Sequence, residues 1–228
     1  MNEPFLQHGG EGEGREIESQ QLSRDSVLAS IYQLKPAFQR LLRPIVRQMA
    51  AAGITANQVT VAAVVLSLAV GASILVRPDS AWPLLLLPVF LFLRMALNAM
   101  DGMLAREYGQ QSRLGAMLNE LGDAISDAAL YLPLALVVAF NAHLIVVIVV
   151  LALISEMAGL VAVEIGAQRR YDGPMGKSDR AFVFGALALW VGAGGAIGPW
   201  LDGILLLTAL LLAVTILRRA RAALREGG

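Results

Sequence analysis

The chain has 228 residues, 57% of them hydrophobic and only 16% charged, with a mean hydropathy of +0.63. That composition lies outside the range of soluble domains and puts the chain in a membrane. It has no cysteine and two histidines, His8 and His143, which excludes disulfides, thiol chemistry and cysteine-ligated zinc; its formal net charge of +0 hides acids crowded in the tail and the middle.

Residues 1–24 combine Gly, Glu and Gln with few large apolar side chains and read as a disordered polar tail. No basic stretch leads into an apolar one there, so no cleaved signal peptide is expected, and Gly9, Gly10, Gly12 and Gly14 follow no strand that would make them a nucleotide loop. From residue 25 to 53 the pattern becomes an amphipathic juxtamembrane helix. Leu28, Ile31, Leu34, Phe38, Leu41, Leu42, Ile45 and Met49 recur at helical spacing between Lys35, Arg40, Arg43 and Arg47. Such a helix lies on an anionic membrane face.

Six apolar segments follow, at about 58–77, 82–106, 114–140, 144–167, 181–198 and 203–218, each long enough for a hydrocarbon core of ~30 Å. The fold class expected is an all-α membrane protein, with six transmembrane helices over 54–228 preceded by the interfacial helix. Arg106, Arg113, Arg169, Arg170, Lys177, Arg180, Arg218, Arg219, Arg221 and Arg225 fall on one side of this plan, and the short turns opposite contain one base, Arg77. The positive-inside rule makes the basic side cytoplasmic, with both termini. Pro88, Pro133 and Pro199 are expected to kink or end their helices.

The second and third segments make a helical hairpin that carries Asp101, Glu120, Asp123 and Asp127 among apolar residues. A carboxylate in mid-bilayer costs roughly 3 kcal/mol, so this cluster demands a cation or a polar cavity. Arg94, Asn98, Asp101 and Ala105 share one face of the first arm. On the second arm Gly115, Asn119, Asp123 and Asp127 recur every four residues, drifting ~40° per step. Two polar stripes therefore face each other near the cytoplasmic side, with Asp and Asn oxygens suited to hard cations such as Mg²⁺, Mn²⁺ or Ca²⁺.

The stretch N-x-x-D-G-x-x-A-R-x8-G-x-x-x-N-x-x-x-D, from Asn98 to Asp123, resembles the signature of the CDP-alcohol phosphotransferases, integral membrane enzymes of phospholipid synthesis. Asp101, Gly102, Ala105, Arg106, Gly115 and Asp123 match, whereas Asn98 and Asn119 stand where the family has its first and third aspartates. The resemblance implies transfer of a phosphatidyl or phospho-alcohol group from a CDP-activated donor to an alcohol hydroxyl, with release of CMP. It assigns Asn98, Asp101, Asn119 and Asp123 to a Mg²⁺ or Mn²⁺ site, Asp123 to the catalytic base, and Gly102, Ala105, Arg106 and Gly115 to nucleotide binding.

Each asparagine replaces a charged ligand by a neutral one, which weakens divalent cation binding and leaves one or two metals open. Glu120 and Asp127 are the available compensation. Asp127 continues the stripe, so a catalytic site shifted one turn, with Asp127 taking part, is an alternative register. Lys177 and Arg180 resemble, by position, the family's basic residues for the phosphate of the acceptor or lipid. The Gly-Lys-Ser at 176–178 lacks the preceding glycine and strand of a P-loop. Glu156 and Glu164 lie within ~80° on the fourth segment, with Arg94 a candidate partner for Glu156.

The partners expected are a CDP-activated donor, an alcohol or lipid acceptor and membrane lipids, with no nucleic acid; the resemblance adds a homodimer. Two other readings stand beside the enzyme: a degenerate, non-catalytic family member, and a small ion-coupled transporter using Asp123, Asp127, Glu156 and Glu164. Against the latter, the two three-segment halves share no inverted-repeat similarity.

Overall fold

The computed structural model describes residues 36–226; the expected tail at 1–24 and the first part of the amphipathic helix, 25–35, lie outside the described residues. Helix α1 occupies residues 36–51. It is followed by α2 (Ala56–Val76), α3 (Ala81–Glu107), α4 (Arg113–Tyr131), a 3₁₀ turn (Leu132–Leu136), α5 (Ala142–Glu164), α6 (Lys177–Gly192) and α7 (Pro199–Glu226). No strand occurs among the described residues.

Local chemistry sets these boundaries. Gly53, at φ 75°, releases the chain from α1, and Thr55 then opens α2 with a reciprocal cap: its hydroxyl accepts from Gln58 N, while the Gln58 side chain accepts from Thr55 N at 2.9 Å. Ser112 and Asn141 cap α4 and α5 one way only, their side-chain oxygens accepting from Gly115 N and Leu144 N. Gly109, at φ 64°, makes the sharp turn between α3 and α4.

Four helices, α2, α3, α5 and α7, are long and apolar enough to cross a membrane. The third and fifth apolar segments come out differently. The 114–140 stretch is divided, because Pro133 withholds an N–H and α4 gives way at Tyr131 to the 3₁₀ turn; α4 also carries the acids Glu120, Asp123 and Asp127. Helix α6 is 16 residues long, about 24 Å at 1.5 Å per residue, because Gly194 at φ 79° ends it short of residue 198.

Helix α2 packs on α3 and α4, α3 on α6, and α5 on α7. The main core gathers Leu87, Leu130, Leu134, Ile145, Ile148, Phe184, Leu201, Leu205 and Leu212. Within it Tyr131 stacks on Phe184 with ring centroids 4.3 Å apart. A second cluster seats α1, through Leu42 and Val46, against Met100, Met103 and Leu104 of α3, while Leu41 and Ile45 face outward beside Arg43 and Arg47. Closest of all is the α2 to α4 contact. A Cβ on Gly71 would lie 1.9 Å from the Ala129 carbonyl oxygen, so only a glycine permits this crossing.

Large apolar side chains project outward along every long helix, among them Val65, Leu68, Phe92, Val150, Val161, Leu207 and Leu210. This surface needs a lipid solvent. The chain is an integral membrane protein.

One end of the bundle collects the basic segments. Arg43 of α1 pairs with Glu107, Gln110 accepts from the Ala56 amide at 2.7 Å, and Arg169 in the 165–176 loop forks onto Glu120. In the same loop Arg170 pairs with Glu226 and donates to the Ala222 carbonyl at the far end of α7.

Candidate active site

Helices α2, α3 and α4 enclose a cavity of about 760 Å³ at the basic end of the bundle. Asn98, Asp101, Gly102, Ala105 and Arg106 of α3 line it, and Gly115 and Asn119 of α4 face them. The two stripes inferred from helical spacing thus share one space. The glycines hold it open: a Cβ on Gly102 would press on the Arg106 guanidinium at 3.0 Å, and one on Gly115 would sit 2.8 Å from the Asn57 side-chain oxygen. Arg106 folds back over Gly102 at the exposed end of the helix.

Asp101 is 5% exposed and accepts from the Thr60 hydroxyl at 2.8 Å. In the cavity wall it is the one acid without an Arg or Lys partner among the described residues, since Glu120, the other, is held by Arg169. Burial alone would lower the Arg169 pKa, but the hydrogen bond and charge of Glu120 outweigh burial and raise it.

Asp123 stands beside the cavity, tied to it by Asn98, whose Nδ2 donates to Asp123 Oδ1 at 3.2 Å. The same oxygen accepts from Lys177 Nζ and lies 3.4 Å from Arg94 Nη2. Asp123 and Lys177 are each about one-third exposed, at 30% and 32%. Asp127, one turn on, points elsewhere. Its side chain is 6% exposed and lies between Arg94 (2.6 Å) and Arg180 (2.9 Å).

Arg180 also meets Glu156 at 3.1 Å, and Glu156 lies 3.6 Å from Arg219, which donates to the carbonyls of Ser155 and Asp172. An ionic chain, buried at Arg94, Asp127, Arg180 and Arg219 and partly exposed at Asp123 and Glu156, thus joins α3, α4, α5, α6 and α7 in the order Asp123, Arg94, Asp127, Arg180, Glu156, Arg219. Each buried charge in it has an opposite neighbour, which is what makes burial tolerable. Glu156 therefore pairs with Arg180 and Arg219 rather than with Arg94. Glu164 lies exposed at the end of α5, apart from the chain. Neither Arg180 nor Lys177 lines the cavity: Arg180, 1% exposed, belongs to this chain, whereas Lys177 is partly exposed beside Asp123.

Asn57 and Thr60 also line the cavity, and neither stands out in the sequence. A signal was present: Ala56, Thr60, Ala63, Ser67 and Gly71 form a small and polar stripe at helical spacing on the buried side of α2. In an apolar segment that stripe marks the face turned to other helices.

The donor set fits one hard cation. Asp101 offers a carboxylate, Asn98 and Asn119 amide oxygens in the same wall, and the open cavity admits oxygens of a bound phosphate. Among the described residues no three acids or histidines gather closely enough to hold an ion unaided.

The chain is 46% identical over 201 residues to the inner membrane protein YnbA of Escherichia coli (strain K12), covering 86% of this chain and 96% of that one. Its fold matches the phosphatidylinositol phosphate synthase PgsA1 of Mycobacterium tuberculosis with CDP-DAG bound, at a TM-score of 0.70 and 22% identity, over 83% of this chain and 96% of that one. The same synthase in complex with manganese and citrate matches at a TM-score of 0.69 and 22% identity, covering 81% and 90%. At that identity the likeness concerns the fold. The family pattern of the CDP-alcohol phosphatidyltransferases matches residues 53–218, and the chain belongs to that family.

Proposed function

We propose that the cavity between α2, α3 and α4 is where this transferase moves a substituted phosphate from a CDP-activated donor to an alcohol hydroxyl. One observation carries the reading: Asn98, Asp101, Gly102, Ala105, Arg106, Gly115 and Asn119, seven positions of one linear signature, line a single cavity with Asp123 at its edge. The hydroxyl oxygen forms a bond to the phosphorus adjoining the donor's alcohol moiety, the bond from that phosphorus to the CMP oxygen breaks, and Asp123 accepts the hydroxyl proton.

The roles of the other residues follow from their chemistry. Gly102, Ala105 and Gly115 let a nucleotide lie against the helix backbones, and Arg106 pairs with its phosphate. Asn98, Asp101 and Asn119 hold Mg²⁺ or Mn²⁺. A cation held there would supply positive charge to the diphosphate oxygens of the donor. Lys177, accessible beside Asp123, orients an anionic group of the acceptor or lipid, while Arg180 and Asp127 set the position of α4 from behind. This is the family register rather than the one shifted toward Asp127, and it is supported by the burial of Asp127 between two arginines. The pairing of Asp123, Asp127 and Glu156 with bases also argues against a coupling-ion path.

The domain plan is an interfacial helix ahead of a six-crossing domain in the inner membrane, with the site and both termini cytoplasmic. For α4, support comes from its outward row of Leu114, Met117, Leu121 and Ile125 opposite the acids; for α6, from outward Phe182, Leu189 and Trp190. The family resemblance adds assembly as a homodimer. The CDP-DAG and the manganese held by the mycobacterial synthase make these the first donor and cation to try. Purified protein supplied with CDP-diacylglycerol and a panel of alcohols, then with CDP-choline or CDP-ethanolamine and diacylglycerol, should release CMP with one pairing. Excess EDTA should stop release, and added Mn²⁺ should restore it. Release unaffected by EDTA would remove the cation from the reading.

A further inference from the structure

Asp123 Oδ1 is crowded with positive and polar hydrogen. It accepts from Lys177 Nζ and from Asn98 Nδ2 at 3.2 Å, with Arg94 Nη2 at 3.4 Å. A cation arriving on that oxygen would meet an ammonium at bonding distance, and like charges so close repel strongly where water is scarce. The amide of Asn98 agrees: its nitrogen is turned to Asp123, so its oxygen is the atom left to serve a cation.

Charge counting agrees. Of the four signature positions, Asn98 and Asn119 are neutral and Asp123 is matched by Lys177, so Asp101 is the one uncompensated carboxylate. The acids nearby cannot make up the difference, because Glu120 is held by Arg169 and Asp127 by Arg94 and Arg180. With Asp101, a doubly charged diphosphate diester and Arg106 counted together, one divalent ion brings the half-buried site to neutrality, and a second would leave it with an excess of about two positive charges.

We propose that Lys177 stands in for a second cation: the chain takes one divalent ion, on Asp101 with Asn98 and Asn119, and the Lys177 ammonium fills the neighbouring place against Asp123. The two asparagines withhold the charge a second ion would need, and the lysine occupies the place against Asp123. The proposal rests on reading the cavity as a cation-assisted transferase site. It makes Lys177 a fixed positive charge beside the reacting phosphate, where it pairs with donor or acceptor oxygens without a metal.

Manganese counting by electron paramagnetic resonance tests it without reference to turnover. Full-length protein in lipid nanodiscs is titrated with Mn²⁺, and the Asp101→Asn variant serves as the blank for ions held by lipid. The expected result is one Mn²⁺ per chain above the blank, with the spectrum of an isolated ion. A triple variant, Asn98→Asp, Asn119→Asp and Lys177→Met, should admit a second Mn²⁺ with spin coupling between the two and hold the first about tenfold more tightly. Two coupled ions in the unaltered chain would overturn the proposal while leaving the transferase reading intact. No ion above the blank would overturn both. Should the triple variant fail to fold, the count in the unaltered chain decides alone.

Discussion

Arg94 spans two successive turns of α4, donating to Asp127 Oδ1 at 2.6 Å through Nη1 and to the Asp123 carbonyl at 3.1 Å through Nη2. One buried guanidinium on α3 thereby fixes the rotation of the helix that carries the proposed base. Replacing it with leucine leaves Asp127 with Arg180 alone and Asp123 without its backbone tie. Loss of one partner from a buried ionic chain costs about 3–5 kcal/mol, so Arg94→Leu should melt well below the unaltered protein in a detergent thermal scan. Arg94→Lys reaches one acid but not both, and should fall between the two.

Asp123 and Asp127 separate chemistry from architecture. Asp123→Asn removes the proposed base at a third-exposed position and should lower kcat by at least ~10²-fold with little change in melting. Asp127→Asn leaves Arg94 and Arg180 under-compensated, so its effect should appear in the melt, with kcat of the folded fraction reduced only mildly. Equal losses of kcat with equal melting points would restore the register shifted by one turn.

Gly71 tests the packing that brings α2 to the cavity. Gly71→Ala drives a methyl into the Ala129 carbonyl, at 1.9 Å before relaxation, and should cost roughly 3 kcal/mol or more. Gly203→Ala, with nothing within 4 Å of the new methyl, should be neutral or slightly stabilising.

Sidedness can be read chemically, since the chain has no cysteine. Single cysteines at the exposed Gln111 and Asp172 should react with an impermeant thiol reagent only after the cytoplasmic face is opened, and a cysteine at Asp79 should react from outside. The reverse labelling would invert the proposed topology.

The hairpin was legible because helical periodicity fixes which residues of one helix share a face, and Asn98, Asp101, Gly115 and Asn119 do line one cavity. Periodicity does not say which helix lies opposite. Arg94 therefore had no partner assignable from spacing: α4 supplies its acids, while Glu156 on α5 turns to Arg180 and Arg219. The division of the 114–140 segment was legible only in Pro133, because Leu132 to Leu136 are otherwise as apolar as a crossing helix. Thr60 escaped notice because a single hydroxyl in an apolar helix commonly bonds its own backbone. Here its one hydrogen lies within reach of both the Ala56 carbonyl at 3.1 Å and Asp101 at 2.8 Å.

CMP release by the paired variants Asp101→Asn and Asp123→Asn, in nanodiscs with the donor and acceptor found active for the unaltered protein, tests the account most directly. Each substitution should lower the rate by at least ~10²-fold while the protein still melts cooperatively. Full transferase activity in both folded variants would place the chemistry outside the α3–α4 hairpin and contradict the account.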